Sequence, residues 1–552
     1  MDAQNSFTVS DYLLQRLKEL GINHLFGVPG DYVLDFLDFV VESPIQWVGT
    51  CNELNAGYAA DGYARMNGLG GAVVTYGVGG FSILNAVAGA FAEMVPVVII
   101  SGAPPTGRRK AGAMVHHLVA DYNRQMEIFQ KVTTDSAFLD DPMTAPERID
   151  RVLVTCLSRK LPVYLELPAD MARAACIPPS APLNIPVRVS DPEALKQCAD
   201  VVAGRMNNAD SPAILAGIEV SRFDLGPQLL NLIEQAEIPF ATMLSSKSAL
   251  PEMHPQFIGI YQGGWSGQAV QEQVESSDCL LSLGAWMTDL DTGMFSVHID
   301  PDRVIEVGRD SVRSGSSHFL NVLPGDLIRE LAMRLRPRSY LESHPSQPIN
   351  PSPPFVPQQN TALKAARMYE AIQGFLDDSM ILLVEPGDAF CAVPEFTIEE
   401  ARHFIVQPYY ASIGFCTPAS LGAGLARPAM RPLVVTGDGA FQMTAQEVST
   451  LIRTGIPAVI LLINNDGYLI ERMLHEDGPY NDIMMWRYSA LPELFNGGEK
   501  VAGIRVATEE ELHLALQRAS AEKEKLFLIE ICIGKLDCSE GLKRLGASFR
   551  KG

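Results

Sequence analysis

A chain of 552 residues is too long for one hydrophobic core and points to about three domains, at roughly 150–200 residues each. Its makeup, 47% hydrophobic and 20% charged, is that of a soluble globular protein, and a formal charge of −22 argues against nucleic acid or an anionic membrane as the main partner. The start, Met1 to Ser6, has neither a basic cluster nor an apolar run, and Met94–Ile100 is cut by Pro96, so no signal or membrane span is expected and the cytoplasm is the expected compartment. The nine cysteines are scattered without a CxxC pair, as reduced core thiols would be.

In chain order, Val9–Leu20 has helical spacing and stops at Gly21. His24–Gly27 reads as a short strand, Pro29-Gly-Asp as a turn, and the chain from about Tyr32 as a helix with Asp31 as a natural N-cap. Trp47–Thr50 is a strand, and Glu53 opens an Ala-rich helix reaching Arg65; as an acid at a helix start it has an ordinary dipole explanation. Ala72–Thr75 and Val97–Ile100 are further buried strands, so a parallel sheet is expected. His116 and His117 are adjacent, and adjacent side chains converge only on an irregular segment, which the glycines and prolines nearby allow.

Two Pro-rich stretches, Ile177–Pro192 and Pro337 to about Pro357, read as extended linkers. They divide the chain into 1–182, 190–340 and 358–552. The middle block has short strands at Ala213–Ala216, Leu280–Leu283 and Val304–Val307 and no Gly-x-Gly-x-x-Gly fingerprint, which fits a structural or regulatory role.

In the last block, Leu433–Thr436 is a buried strand, Gly437-Asp438-Gly439 a tight turn, Ala440–Thr454 a helix and Ala458–Ile463 a second strand ending on Asn464-Asn-Asp-Gly. Either turn alone is an ordinary loop. Together they close two parallel strands on one sheet edge, where Asp438 and Asn465 offer hard oxygen ligands beside a helix start suited to an anion. Val73-Val-Thr-Tyr-Gly-Val-Gly, a helix and Pro96-Val-Val-Ile-Ile echo Val434-Val-Thr-Gly-Asp-Gly, a helix and Pro457-Ala-Val-Ile-Leu-Leu, 361 residues on (73 to 434, 96 to 457). The first and third blocks are therefore expected to share an α/β fold.

The Gly-Asp-Gly…Asn-Asn pair resembles the thiamine-diphosphate (ThDP) motif. Phe26-Gly-Val-Pro-Gly-Asp-Tyr, Asn52-Glu-Leu-Asn, Thr75-Tyr-Gly-Val-Gly, His116-His117, Ser412-Ile-Gly-Phe and Asn464-Asn-Asp-Gly-Tyr-Leu-Ile-Glu resemble the decarboxylase branch, the pyruvate, indolepyruvate and phenylpyruvate decarboxylases, over nearly the whole chain. The resemblance implies an α/β architecture of three domains with parallel sheets flanked by helices: a pyrimidine-binding domain, a central domain and a diphosphate-binding domain. It implies Asp438, Asn465 and the Gly467 carbonyl as Mg2+ ligands. Asp388, Ile413, Gly437, Gly439, Ala440 and Ile470 would complete the cofactor site, with Ile413, otherwise plain apolar core, bending the cofactor. Glu53 would bond the aminopyrimidine, a role that burial would suit. Asp31, His116, His117 and Glu471 would be the acid–base cluster.

Two departures stand out: Ala440 where many relatives carry Ser, and Asp388 where many carry Thr. Phe390, Ile470, Leu474 and Leu290 are expected around the substrate; Phe390 narrows the cavity and Leu290 opens it, so they point in opposite directions on chain length.

The activity so implied is non-oxidative decarboxylation of a small 2-oxo acid (pyruvate, branched-chain or aromatic) to the aldehyde and CO2. The active site is expected between two chains of a homodimer, itself half of a homotetramer, with neither nucleic acid nor membrane as partner. The alternatives are a ThDP carboligase making an acyloin or acetolactate-type product, which a flavin in the middle block would favour, and a catalytically dead member of the fold, against which the intact motifs speak.

Overall fold

The structure is a computed structural model that describes residues 6–340, 355–398 and 403–550. Most of the second Pro-rich stretch lies outside the described residues. Three sheets organise the chain. The first comprises β1 (His24–Gly27), β2 (Gln46–Gly49), β3 (Gly70–Val74), β4 (Val97–Ala103), β5 (Asp135–Phe138) and β6 (Val163–Pro168), in the order β2-β1-β3-β4-β6-β5, all parallel. The second comprises β7 (Pro212–Ala216), β8 (Phe240–Thr242), β9 (Phe257–Ile260), β10 (Cys279–Leu283), β11 (Val304–Val307), β12 (Ser311–Ser314) and β13 (Ser317–Leu320). Its β12 and β13 run antiparallel at the edge, a departure from the expected parallel order.

The third sheet comprises β14 (Met380–Val384), β15 (Phe404–Val406), β16 (Arg431–Gly437), β17 (Val459–Asn464), β18 (Val501–Val506) and β19 (Leu526–Cys532). Its order, β15-β14-β16-β17-β19-β18, repeats the first sheet strand for strand, and it too is wholly parallel. The echo in the sequence is therefore structural. The ladders correct its spacing by one residue: Val73 pairs with Ile100, but Val434 pairs with Ile460. These strands are almost uniformly buried, as sheets covered on both faces require.

The first and third sheets pack through equivalent helices, Glu53–Asn67 and Cys416–Ala426. The backbones touch: a Cβ on Gly62 would lie 2.2 Å from Ala419 O, and one on Gly422 1.8 Å from Ala59 O. Only glycine permits that approach. One hydrophobic cluster consequently runs from Phe26, Val74 and Ile99 through Tyr63, Phe415 and Ala419 to Ile381, Val434 and Ile460.

The middle unit is pinned to both neighbours. Arg222 Nε donates to Glu93 O at 2.8 Å. The buried Lys247 donates to Glu252 and, at 2.6 Å, to Phe396 O, while Ile398 N donates to Glu252 Oε2 at 2.9 Å. The first Pro-rich stretch is not a free tether either. Arg16 donates to Ala181 O, Leu183 N donates to Glu19, and Pro192 opens the helix Pro192–Asn208 behind the cap Asp191. Among the described residues, no helix is long and apolar enough to cross a membrane.

Candidate active site

Two constellations lie at corresponding loops of the matching sheets. On the third sheet, one cavity is lined by Asp388, Ile413, Gly437, Asp438, Gly439, Ala440, Asn465, Gly467 and Ile470, together with Glu385 and Tyr468. Three helices begin at it: Asp388–Ala392, Asp438–Thr444 and Leu469–Leu474. None has a side-chain hydrogen bond from its N-cap residue; Gly439 N is taken by Asp438 and Leu469 N by Gly467 O, which leaves the other first-turn amides to suit an anion. The helix predicted from Ala440 to Thr454 thus starts at Asp438 and is broken by a 3-10 turn at Ala445–Glu447. That turn sets the Glu447 carboxylate against Cys51 N (3.2 Å) and Asn55 Nδ2 (2.7 Å), tying it to the start of the Glu53 helix.

Asp438 is 1% exposed. Its Oδ1 accepts Gly439 N at 2.7 Å, and its Oδ2 accepts Asn465 N at 3.2 Å and Gly467 N at 3.0 Å. The left-handed Asp466 and Gly467 (φ 69° and 117°) wrap those amides around it. Burial pushes its carboxyl up to about 6 despite these bonds, and among the described residues no cationic side chain pairs with it. A buried carboxylate beside Asn465, lacking a counter-charge, is the oxygen donor set a hard divalent cation fits, and the uncapped helix starts fit a diphosphate.

Other lining groups hold the walls. Asp388 has its carboxylate committed: Oδ1 accepts Ser539 N and Oγ at 2.9 and 2.6 Å, and Oδ2 accepts Tyr369 OH at 2.9 Å, which docks the helix Glu540–Phe549. Ile413 sits on a loop fixed from both sides. Phe415 N and Cys416 N donate to Glu385 at 2.9 and 3.1 Å, while Ser412 Oγ bonds Tyr58 OH. Burial pushes Glu385 up to about 7. The sequence reading missed Glu385; its signal is a lone acid closing the apolar strand Met380–Val384.

On the first sheet, Asp31, His116 and His117 come together, with one ligand-type atom of each within 4.8 Å of the others. His116 Nε2 lies 2.5 Å from Asp31 Oδ2, and the two imidazoles meet edge-on, 4.7 Å between centroids. The helix expected from Tyr32 begins at Leu34 behind Val33, so Asp31 does not cap it. Tyr32 is instead buried and stacks on His116 at 4.9 Å. The histidines converge because His117 is left-handed (φ 65°). Gly77 makes room for it: a Cβ there would lie 2.2 Å from His117 O. Gly77 N donates to Gln125 Oε1 at 2.7 Å, and Gln125 Nε2 donates to Ser101 Oγ and Tyr164 OH, so the buried Gln125, also missed in the sequence, fixes that turn.

Glu53 is the first residue of its helix behind the cap Asn52, as expected, and is half-buried; Gly79 leaves room for its Oε1. It does not line the Asp438 cavity. Glu471 is exposed on the first turn of Leu469–Leu474, also outside the lining. Phe390 and Leu290 pack into the core of the third sheet rather than the cavity, and Leu474 packs beside Ile470.

Comparison with known proteins gives three matches along the chain: residues 7–128 to the N-terminal TPP binding domain of thiamine pyrophosphate enzymes, 199–324 to their central domain and 389–531 to their C-terminal TPP binding domain. An alpha-keto-acid decarboxylase of Mycolicibacterium paratuberculosis is 37% identical over 538 residues, covering 96% of this chain and 95% of its own. Its counterparts from Mycobacterium leprae (38%, 96% and 94%) and Mycobacterium tuberculosis (36%, 98% and 97%) are similar throughout.

Proposed function

We propose, from the premise that the chain belongs to the thiamine-diphosphate-dependent 2-oxo acid decarboxylases, that two copies build each of its active sites between them. One copy supplies Glu53, Asp31, His116 and His117, and the other supplies the Asp438 cavity. The observation that carries this reading is the pairing of matched sheets with unlike equipment: the Asp438 cavity on one, and on the other Asp31, His116 and His117, which with Glu53 lie outside that cavity's lining. A homodimer closes each half with its complement, and a homotetramer is the further assembly proposed. The domain limits proposed are 1–182, 190–340 and 358–552. The unpaired state of all nine cysteines supports a cytoplasmic setting.

The enzyme decarboxylates a 2-oxo acid. Thiamine diphosphate, when bound, supplies a carbon nucleophile for the keto carbon and takes up the electron pair that departing CO2 leaves. Asp438, Asn465 and the Gly467 carbonyl would hold Mg2+, and amides at the helix starts would take the diphosphate. Ile413, on its doubly anchored loop, shapes the cofactor; Ile463 and Ile470 keep the cavity poor in water. Glu53 would hold a proton at its carboxylate for the aminopyrimidine. His116, His117 and Asp31, with Glu471 from the facing copy, deliver the proton that lets the product leave as an aldehyde. These proton donors favour aldehyde release over carboligation.

The test of assembly is subunit complementation. Glu53→Gln and Asp438→Ala are each expected to be inactive, yet co-expressed they should regain up to about a quarter of wild-type turnover, because half of the dimers are mixed and each mixed dimer has one intact site. No recovery would place both groups in one chain's own site. The substrate test is CO2 and aldehyde release from pyruvate, a branched 2-oxo acid, phenylpyruvate and indolepyruvate; CO2 without aldehyde would turn the reading to carboligation.

A further inference from the structure

We propose that Asp31, His116 and His117 form a second divalent-metal site, for zinc-class ions, whose filling switches the enzyme off. Among the described residues, this is the one group of three His, Cys, Asp or Glu whose ligand-type atoms cluster within 4.8 Å. Two imidazoles and one carboxylate are the donors that borderline transition metals prefer. At metal–ligand bonds of about 2.0–2.2 Å, tetrahedral ligands sit roughly 3.4 Å apart, so the Asp31–His116 pair, now 2.5 Å apart, has to open by about 1 Å while separations of up to 4.8 Å close by about 1.4 Å. Within its own chain nothing among the described residues blocks those movements: the side chains of His116 and Asp31 are 60% and 48% exposed before the facing copy is added.

Two further observations point to a ligand. His117 Nδ1 is buried with no hydrogen-bond partner among the described residues, a cost that a metal or a proton acceptor would relieve. His116 is already oriented from behind: Tyr32 stacks on its ring (18° between planes) and sets its hydroxyl 3.4 Å from Nδ1, leaving Nε2 toward Asp31. An outer partner of this kind fixes ring and tautomer for a metal-ligating histidine. With three protein ligands, a fourth position is left for a water molecule in the space between the two copies.

The chain would then carry two metal sites of opposite taste. The Asp438, Asn465 and Gly467 set is all oxygen and suits Mg2+, whereas the histidine set suits Zn2+ or Co2+. Saturating Mg2+ therefore does not protect the histidine site, and zinc need not displace Mg2+ to act. Inhibition follows because His116 Nε2 cannot ligate a cation and handle a proton at once. This consequence rests on the acid–base reading of the cluster; the binding itself does not.

The experiment is Zn2+ equilibrium dialysis and Co2+ visible absorption on the full-length protein with Mg2+ in excess, comparing wild type, His117→Ala, Asp31→Asn and Cys51→Ser. Expected are one zinc per chain and a nitrogen-ligand Co2+ spectrum, with affinity weakened at least roughly tenfold in His117→Ala and Asp31→Asn. Both signals should persist in Cys51→Ser, which removes the exposed thiol. Wild-type CO2 release should fall over the same zinc range and return after chelation and renewed Mg2+. Zinc binding unchanged in His117→Ala, or lost in Cys51→Ser, overturns the site. Zinc bound at the histidines with turnover intact overturns the switch, and with it the acid–base reading. Loss of turnover in metal-free His117→Ala, with no zinc bound by wild type, leaves that reading standing and removes only the metal site.

Discussion

The first and third sheets have the same strand order, the same parallel sense and equivalent helices where they meet, yet their loops carry different chemistry. After β16 comes Gly437-Asp438-Gly439, whose acid is buried under backbone amides. After β3 comes Thr75-Tyr-Gly-Val-Gly, whose Gly77 gives its space to His117. A common scaffold thus carries unlike turn residues at corresponding loops, and the division of chemistry proposed above rests on that difference.

The largest effect that would break this comparison is expected at Asp438. Asp438→Ala removes the buried acid proposed to hold the metal, and turnover should fall roughly a thousandfold, the equivalent of about 4 kcal/mol. Gel filtration in Mg2+ and cofactor should show the cofactor released. Glu53→Gln should cost about a hundredfold or more in turnover while calorimetric cofactor binding is kept; cofactor binding lost along with turnover would make Glu53 a structural residue. Gly77→Ala should lower kcat by roughly tenfold at unchanged cofactor affinity, because its Cβ would lie 2.2 Å from His117 O at a left-handed φ of 66°. Full activity there would uncouple the turn from the histidines.

Gly62→Ala separates the sheets rather than emptying a site. The added Cβ meets Ala419 backbone, so a loss of about 1–3 kcal/mol is expected, seen as a lower thermal midpoint in a fold that Glu53→Gln leaves unchanged.

The smallest effect concerns pH. Burial pushes Glu166 in the first sheet up to about 7, and Glu385 in the third likewise. A carboxyl raised in the folded state holds its proton where the unfolded chain has released it. Its contribution to stability is therefore complete below about 4.5 and fades as pH rises through about 7. Glu166→Gln keeps the acceptor for Tyr164 OH and should flatten the fall in thermal midpoint between pH 5 and pH 8 by a few degrees. An unchanged slope would assign the pH dependence to other groups.

Much of this could be read from the chain. The apolar runs at Ala72–Thr75, Val97–Ile100, Leu433–Thr436 and Ala458–Ile463 coincide with β3, β4, β16 and β17, because a strand covered on both faces must be apolar at successive positions. Less legible were residues that act across long separations. Glu385 holds Phe415 and Cys416, and Gln125 holds Gly77; neither has a local pattern that announces its partner. Asp31 looked like a helix cap because Pro-Gly-Asp before an apolar helix often is one. The chain spends two more residues placing Tyr32 beneath His116, and the helix starts at Leu34.

The sequence by itself determined the α/β alternation, the repeat of one sheet by another and the membership in a ThDP family, since these rest on local hydrophobic periodicity and short turn motifs. Only the tertiary structure decided that Asp438 is buried with no counter-charge among the described residues, that His116 and His117 converge, and that Glu53 stands outside the Asp438 cavity of its own chain. Those outcomes depend on left-handed turns, on glycines that let backbones touch and on contacts hundreds of residues apart. A pattern of apolar and polar positions along the chain does not encode them.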